Sequence, residues 1–266
     1  MTDDIPPGLA GVRALVTGGT RGIGAATARL LRRAGAEVVV AARTPPAGIP
    51  SAPGSTDSLR FVRADLATAA GAADLAARTL ELLGGIDVLV SNVGGQVFRP
   101  GGPLAFSDED WQHALDTNLL SAVRLDRALL PRMIGQRGGT IIHVGSTAAR
   151  LARPPSLPYS AAKAALTAYS KGLAKDVGPA GIRVNIVLPG LIHTEALDRR
   201  LASIAAEQGE HVGDVLARTV ASMQIPLGRA GTPEDVAALI AFLASPAAGY
   251  LTGSQFTVDG GLLPTT

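Results

Sequence analysis

Residues 12–35 read VRALVTGGTRGIGAATARLLRRAG. A short apolar run ends at Thr17, a glycine-rich turn TGGTRGIG follows over 17–24, and a helical pattern starts directly behind it. Gly18, Gly22 and Gly24 carry no Cβ, so the backbone can turn tightly there. The helix behind the turn offers its first unpaired N–H groups to an anion such as a pyrophosphate. The spacing differs from the G-x-G-x-x-G of the general dinucleotide fingerprint, although the physical logic is shared. Taken alone, the stretch reads equally well as a tight strand-to-helix turn, so its surroundings decide.

Working outward, the same apolar-run-then-helix unit recurs along the chain. The runs are VRALVTG (12–18), AEVVVAA (36–42), LRFVRAD (59–65), IDVLVSN (86–92), TIIHVGS (140–146), IRVNIVLPG (182–190) and SQFTVDG (254–260). They are nearly continuous rather than alternating, as expected for strands buried on both faces of a parallel sheet. Between them lie helix-length stretches with clear starts. Ser107 precedes an acidic first turn, and Thr232 precedes Pro233, Glu234 and Asp235. This alternation predicts one α/β domain over 1–266, a doubly wound sheet of about seven parallel strands with helices on both faces. Two stretches break the rhythm. The Pro/Gly/Ser-rich segment 44–58 reads as a surface loop, and 191–226 reads as a helical flap with Leu197, Leu201 and Ile204 at helical spacing.

Composition agrees with a large single core. The 266 residues are 47% hydrophobic against 17% charged, which excludes disorder as the dominant state. Without cysteine there is no disulfide, thiol nucleophile or thiolate-bound metal. A net charge of +2, with no Lys/Arg run, does not point to nucleic acid. The N-terminus carries acidic residues where a signal peptide has basic ones, and no charge-free apolar run reaches membrane-spanning length. A cytoplasmic protein without membrane contact is the expectation. Four scattered histidines with no clustered carboxylates give no metal site.

An acidic residue ending the second strand would hold the ribose hydroxyls of NAD. Here Ala42 and Arg43 stand there, and Arg21 lies inside the glycine turn. Guanidinium groups pair bidentately with a phosphate that an acid would repel, so NADP(H) is favoured and NAD(H) stays possible.

Tyr159 and Lys163 sit four apart in PYSAAKAALTAYSKGLA, on one face of a predicted helix. An ammonium near a phenol favours phenolate and makes a general acid/base usable near neutrality. Ser146 stands thirteen residues before Tyr159. TGGTRGIG, SNVGG at 91–95, Asn118 in LDTNLL, Ser146, Tyr159, Lys163 and PGLIHT at 189–194 appear in one order. This set closely resembles the short-chain dehydrogenase/reductase family, and within it the β-ketoacyl thioester reductases, from Gly11 to the VDGG at 258–261.

The resemblance implies a Rossmann-type fold and a set of roles. Tyr159 would exchange a proton with the carbonyl or alcohol, and Ser146 would hydrogen-bond the substrate oxygen. Lys163 would bind the nicotinamide ribose and lower the Tyr159 pKa, and Asn118 would support a relay water. Gly18, Thr20, Arg21, Gly22, Ile23, Gly24 and Arg43 would hold the phosphates, Asp65 and Leu66 the adenine, and Asn92 and Gly94 the floor under the cofactor. Pro189, Gly190, Ile192 and Thr194 would meet the nicotinamide end. Ser91-Asn92-Val93-Gly94 departs from the common Asn-Asn-Ala-Gly, which alters the adenine side but removes no catalytic group.

The substrate is a small carbonyl or alcohol, held between Gly95–Pro100, Thr147–Leu157 and the flap, with Gln96, Phe98, Leu151, Leu191 and Leu197 as walls beside Ser146 and Tyr159. Arg99, Arg150 and Arg153 fall at the rim. His193 reads as an exposed loop residue, His143 as a satisfied interior one, and His113 and His211 as solvated. The resemblance implies a homotetramer, or a dimer, built on the helices near 107–135 and 158–178. The small residues Ala161, Ala162, Ala164, Ala165 and Ala168 fit either that contact or a tight helix–sheet contact within the subunit. The leading reading is an NADPH-dependent ketone or β-ketoacyl reductase. The alternatives are an alcohol dehydrogenase working oxidatively and a noncatalytic sensor of the NADP redox state.

Overall fold

The computed structural model describes residues 8–45, 59–99 and 101–264. All seven apolar runs form strands: β1 (Arg13–Thr17), β2 (Glu37–Ala42), β3 (Arg60–Arg63), β4 (Val88–Ser91), β5 (Gly139–Val144), β6 (Ile182–Pro189) and β7 (Gln255–Val258). They make one sheet in the order β3-β2-β1-β4-β5-β6-β7, with every neighbouring pair parallel. The helices are α1 (Gly22–Arg33), α2 (Ala69–Leu83), α3 (Asp108–Leu115), α4 (Ser121–Gln136), α5 (Leu157–Val177), α6 (Glu195–Gln208), α7 (Val212–Ser222) and α8 (Pro233–Ala244).

The continuity of the apolar runs has its reason in the two cores. In β1, Ala14 and Val16 face the layer holding α1 and α8, and Leu15 faces the layer holding α2, α4 and α5. All three are fully buried, so no position along the strand is left for a polar side chain. The carboxyl ends of β1 and β4 lie where the strand order reverses, which is where ligands enter open sheets of this kind. The amino ends are clasped by Arg13 on Asp87, with Nε–Oδ2 at 2.8 Å and Nη2–Oδ1 at 2.7 Å.

Both predicted helix starts are capping boxes, Ser107 with Asp110 and Thr232 with Asp235. The helix expected near 107–135 is not uniform. A π-turn, Asp116–Leu120, joins α3 to α4. The flap is two helices, α6 and α7, with a small apolar cluster of their own around Leu201, Ala205 and Val215. Of the loop expected at 44–58, only Thr44 and Pro45 are described, and both are exposed; the remainder and Pro100 lie outside the described residues. Among the described residues no helix is long and apolar enough to cross a membrane.

Candidate active site

The glycine turn is built for close approach. Gly18 has φ of +63°, and a Cβ on it would lie 2.9 Å from Asn92 Nδ2. A Cβ on Gly24 would collide with the Gly18 carbonyl. Gly22, at φ +52°, lies across from the flap: its Cβ would sit 3.3 Å from Thr194 Cγ2. Arg21, the residue before α1, supplies no side-chain acceptor to the helix, so its first N–H groups stay open to an anion. The cradle therefore fits a pyrophosphate-bearing dinucleotide, and a side chain at Gly18 or Gly24 would press on Asn92 or on the Gly18 carbonyl and distort the turn that forms it.

Thr17 holds the next wall, a role that sequence reading did not assign. Its Oγ1 accepts from Asn92 N at 2.9 Å and Val93 N at 3.2 Å, and donates to Val90 O at 3.3 Å. Asn92 Nδ2 donates back to Thr17 O at 3.0 Å. The ends of β1 and β4 are thus locked beside the glycine turn. Asp65 is exposed and turns its carboxylate to Ala67 N, and Leu66 is buried under the same corner. Arg21 and Arg43 are exposed and make no ion pair among the described residues.

The π-turn explains Asn118. Widening the helix by one residue frees a carbonyl, and Asn118 Nδ2 donates to Ala114 O at 3.0 Å. The same group donates to Gly95 O at 2.9 Å, and Oδ1 accepts from Gly95 N at 3.0 Å. Asn118 therefore clamps the backbone after β4. Both of its amide protons are committed to that clamp, and its oxygen is the atom left to accept a further bond. A Cβ on Gly94 would lie 3.0 Å from Asn118 Oδ1 and 3.3 Å from Lys163 Nζ, so this backbone also touches the buried lysine.

Ser146 follows β5, and Tyr159 and Lys163 lie in the first turns of α5, which begins with Pro158 near its start. Tyr159 stands close enough to Ser146 for that hydroxyl to act on its phenol, and Ser146 Oγ accepts from Ala148 N at 3.1 Å. Lys163 is buried, and its Nζ donates to the Val144 carbonyl at 2.8 Å and stands 5.8 Å from the Tyr159 ring centre. Burial pulls the Lys163 ammonium down to about 8. One expectation is corrected here. Burial pushes the Tyr159 phenol up, with Ser146 opposing it, and Lys163, which donates one of its N–H groups to Val144, is not among the groups that lower it.

Downstream, Pro189 is buried and a Cβ on Gly190 would press on Asp259. Ile192 is buried and bridges to Gly231, and Thr194 Oγ1 caps α6 by accepting from Leu197 N at 3.4 Å. Of the predicted substrate walls, Gln96 and Leu151 are exposed, and Leu191 is half-buried. His193 is exposed and paired with Asp198 at 2.7 Å. His113 and His211 are also exposed. His143 is interior as expected, with Nε2 3.0 Å from the equally buried Asp126, although its Nδ1 has no partner. Among the described residues, no group of three or more acidic and histidine side chains is placed to hold a metal ion.

A parallel sheet with a glycine cradle at its switch point and a Ser–Tyr–Lys wall on β5 and α5 defines an oxidoreductase of the short-chain type. Residues 18–263 match the family model described as Enoyl-(Acyl carrier protein) reductase, and the chain belongs to the short-chain dehydrogenase/reductase family. It is 36% identical over 257 residues to the 3-oxoacyl-[acyl-carrier-protein] reductase FabG of Chlamydia pneumoniae, covering 96% of this chain and 98% of that one. It is 39% identical to the Monensin polyketide synthase putative ketoacyl reductase of Streptomyces virginiae, covering 94% and 96% of the two chains. The crystal structure of L-sorbose reductase from Gluconobacter frateurii, complexed with NADPH and L-sorbose, superposes with a TM-score of 0.90 at 32% identity, over 97% of this chain and 99% of that one.

Proposed function

We propose that the protein is an NADP(H)-dependent reductase of a small ketone or β-ketoacyl substrate. The observation that carries this reading is Ser146 set beside the Tyr159 phenol, with Lys163 buried one turn further along α5. A carbonyl oxygen takes the place between Ser146 Oγ and Tyr159 Oη, where Ser146 steadies the charge developing on it. Tyr159 gives its proton to that oxygen. Burial pushes the phenol up, so it stands protonated at neutral pH and can serve as the acid. When bound, NADPH supplies the hydride.

The remaining residues bind and orient. Gly18, Thr20, Gly22, Ile23 and Gly24 hold the pyrophosphate against α1, and Arg21 and Arg43 take the 2′-phosphate. Asp65 and Leu66 border the adenine, and Asn92 and Gly94 lie under the ribose that Lys163 reaches. Pro189, Gly190, Ile192 and Thr194 face the nicotinamide, and Asn118 supports the proton path to Lys163 through its remaining acceptor. Gln96, Leu151 and Leu191 line the substrate. The assembly we propose is a homotetramer. Supporting it, Ala161, Ala164 and Ala168 are exposed along one face of α5, and β7 is left at the sheet edge.

The test is absorbance loss of NADPH and NADH in parallel, across β-ketoesters, acetoacetyl thioesters, quinones and cyclic ketones. Turnover preferring NADPH is expected. Preference for NADH would overturn the cofactor reading, and silence on every ketone would overturn the reductase reading.

A further inference from the structure

Three segments meet at the rim of the site. Phe98, in the segment after β4, lies under Arg200 of α6, with the guanidinium carbon 3.7 Å from the ring centre. Next to it, Arg99 N donates to Pro155 O at 3.0 Å, tying this segment to the loop between Ser146 and Tyr159. Arg153 stands in that loop, close enough that its charge acts on Arg200. Two guanidinium groups thus come together at this rim, that of Arg200 over an aromatic ring.

The neighbouring charges are already spent. Arg99 is paired with Asp110, Asp198 with His193, and Arg150 donates to Gln255. Neither Arg153 nor Arg200 has a carboxylate partner among the described residues. Like charges held together are unfavourable until an anion joins them. Contact with the Phe98 ring steadies the Arg200 guanidinium, whose N–H donors suit a carboxylate or a phosphate. Arg153 and Arg200 are both exposed, so an anion can reach them.

We infer that Arg200, over the Phe98 ring, and Arg153 beside it bind an acidic group that the substrate carries apart from its reacting carbonyl. The group is a carboxylate or a phosphate. This deepens the reductase reading and rests on it, because it names the class of ketone the site takes.

The experiment uses the full chain saturated with NADPH, so that the cofactor's own phosphate site is filled. Acetoacetyl-coenzyme A, acetoacetate and neutral ethyl acetoacetate are compared as substrates for wild type and the Arg153→Gln, Arg200→Gln double variant. Binding of coenzyme A and of acetoacetate is measured separately by calorimetry. In the variant, the ratio of kcat/KM for an acidic substrate to that for the neutral ester should fall ~10- to 100-fold, as expected when charge-assisted hydrogen bonds are lost. A fall confined to the coenzyme A ester assigns the phosphate, and one confined to acetoacetate assigns the carboxylate. Equal losses on acidic and neutral esters would overturn the inference, as would failure of wild type to bind either acid. If no ketone is reduced but acid binding still weakens in the variant, the arginine pair stands and the reductase reading falls.

Discussion

The wall formed by β5 and α5 and the rim formed by the flap face one another and are held in opposite ways. On the wall, Lys163 is buried against a strand carbonyl and Tyr159 stands beside Ser146. At the rim, Gln96, Leu151, Arg153 and Arg200 are exposed, and α6 and α7 share a cluster separate from the main cores. The difference follows from what each must do. Proton transfer needs fixed groups within hydrogen-bond reach, whereas the rim contributes substrate selection through exposed side chains on a semi-independent unit.

The sharpest way to break this comparison is Lys163→Met. Loss of the lysine should lower kcat by about 10²-fold or more. The same change should raise stability at pH 7 by about 2 kcal/mol, because the wild type buries an ammonium whose folded pKa, about 8, lies below its ordinary 10.5. The unfolded chain binds more protons between those values, so wild-type stability rises with pH there and the gap to the variant closes above pH 8. Paired denaturation curves at pH 7 and pH 10 check this; a variant less stable at pH 7 would mean the ammonium is well satisfied by Val144.

A smaller effect separates the two cores. Leu15→Ala, in the sheet, should cost about 2–5 kcal/mol. Leu201→Ala, in the flap cluster, should cost less and raise KM more than it changes kcat. Denaturant midpoints together with steady-state kinetics decide this, and equal stability losses would join the flap to the main core. The smallest effect lies at the cofactor's far end: Arg43→Asp should weaken NADPH binding about tenfold and NADH binding less. Titration with both cofactors reads this directly, and equal losses would remove Arg43 from phosphate recognition.

The legibility of the sequence follows the same division. The five inner strands were visible because burial on both faces leaves a nearly unbroken apolar run, whereas the edge strands β3 and β7 are partly exposed and mix polar with apolar residues. Ser107 and Thr232 were visible as caps because capping is local in sequence. The π-turn at Asp116–Leu120 left no trace, since adding one residue to a helical turn barely disturbs an apolar pattern. Thr17 was missed because its partners Asn92 and Val93 lie far along the chain, and the Val144 carbonyl because every residue has one. The lowered Tyr159 pKa expected from the four-residue spacing did not follow. Spacing brings two side chains to one face but does not reveal what else the ammonium touches. The contact of Arg200 with Phe98 depended on how the flap folds back, which helical periodicity alone does not fix.

The most direct test of the wall as the seat of catalysis is Tyr159→Phe, measured for NADPH affinity by fluorescence titration and for ketone turnover on the same preparation. The account predicts unchanged affinity and kcat lowered ~10²- to 10⁴-fold, the range a positioned proton donor supplies. Turnover at the wild-type rate would contradict it and move the proton source elsewhere.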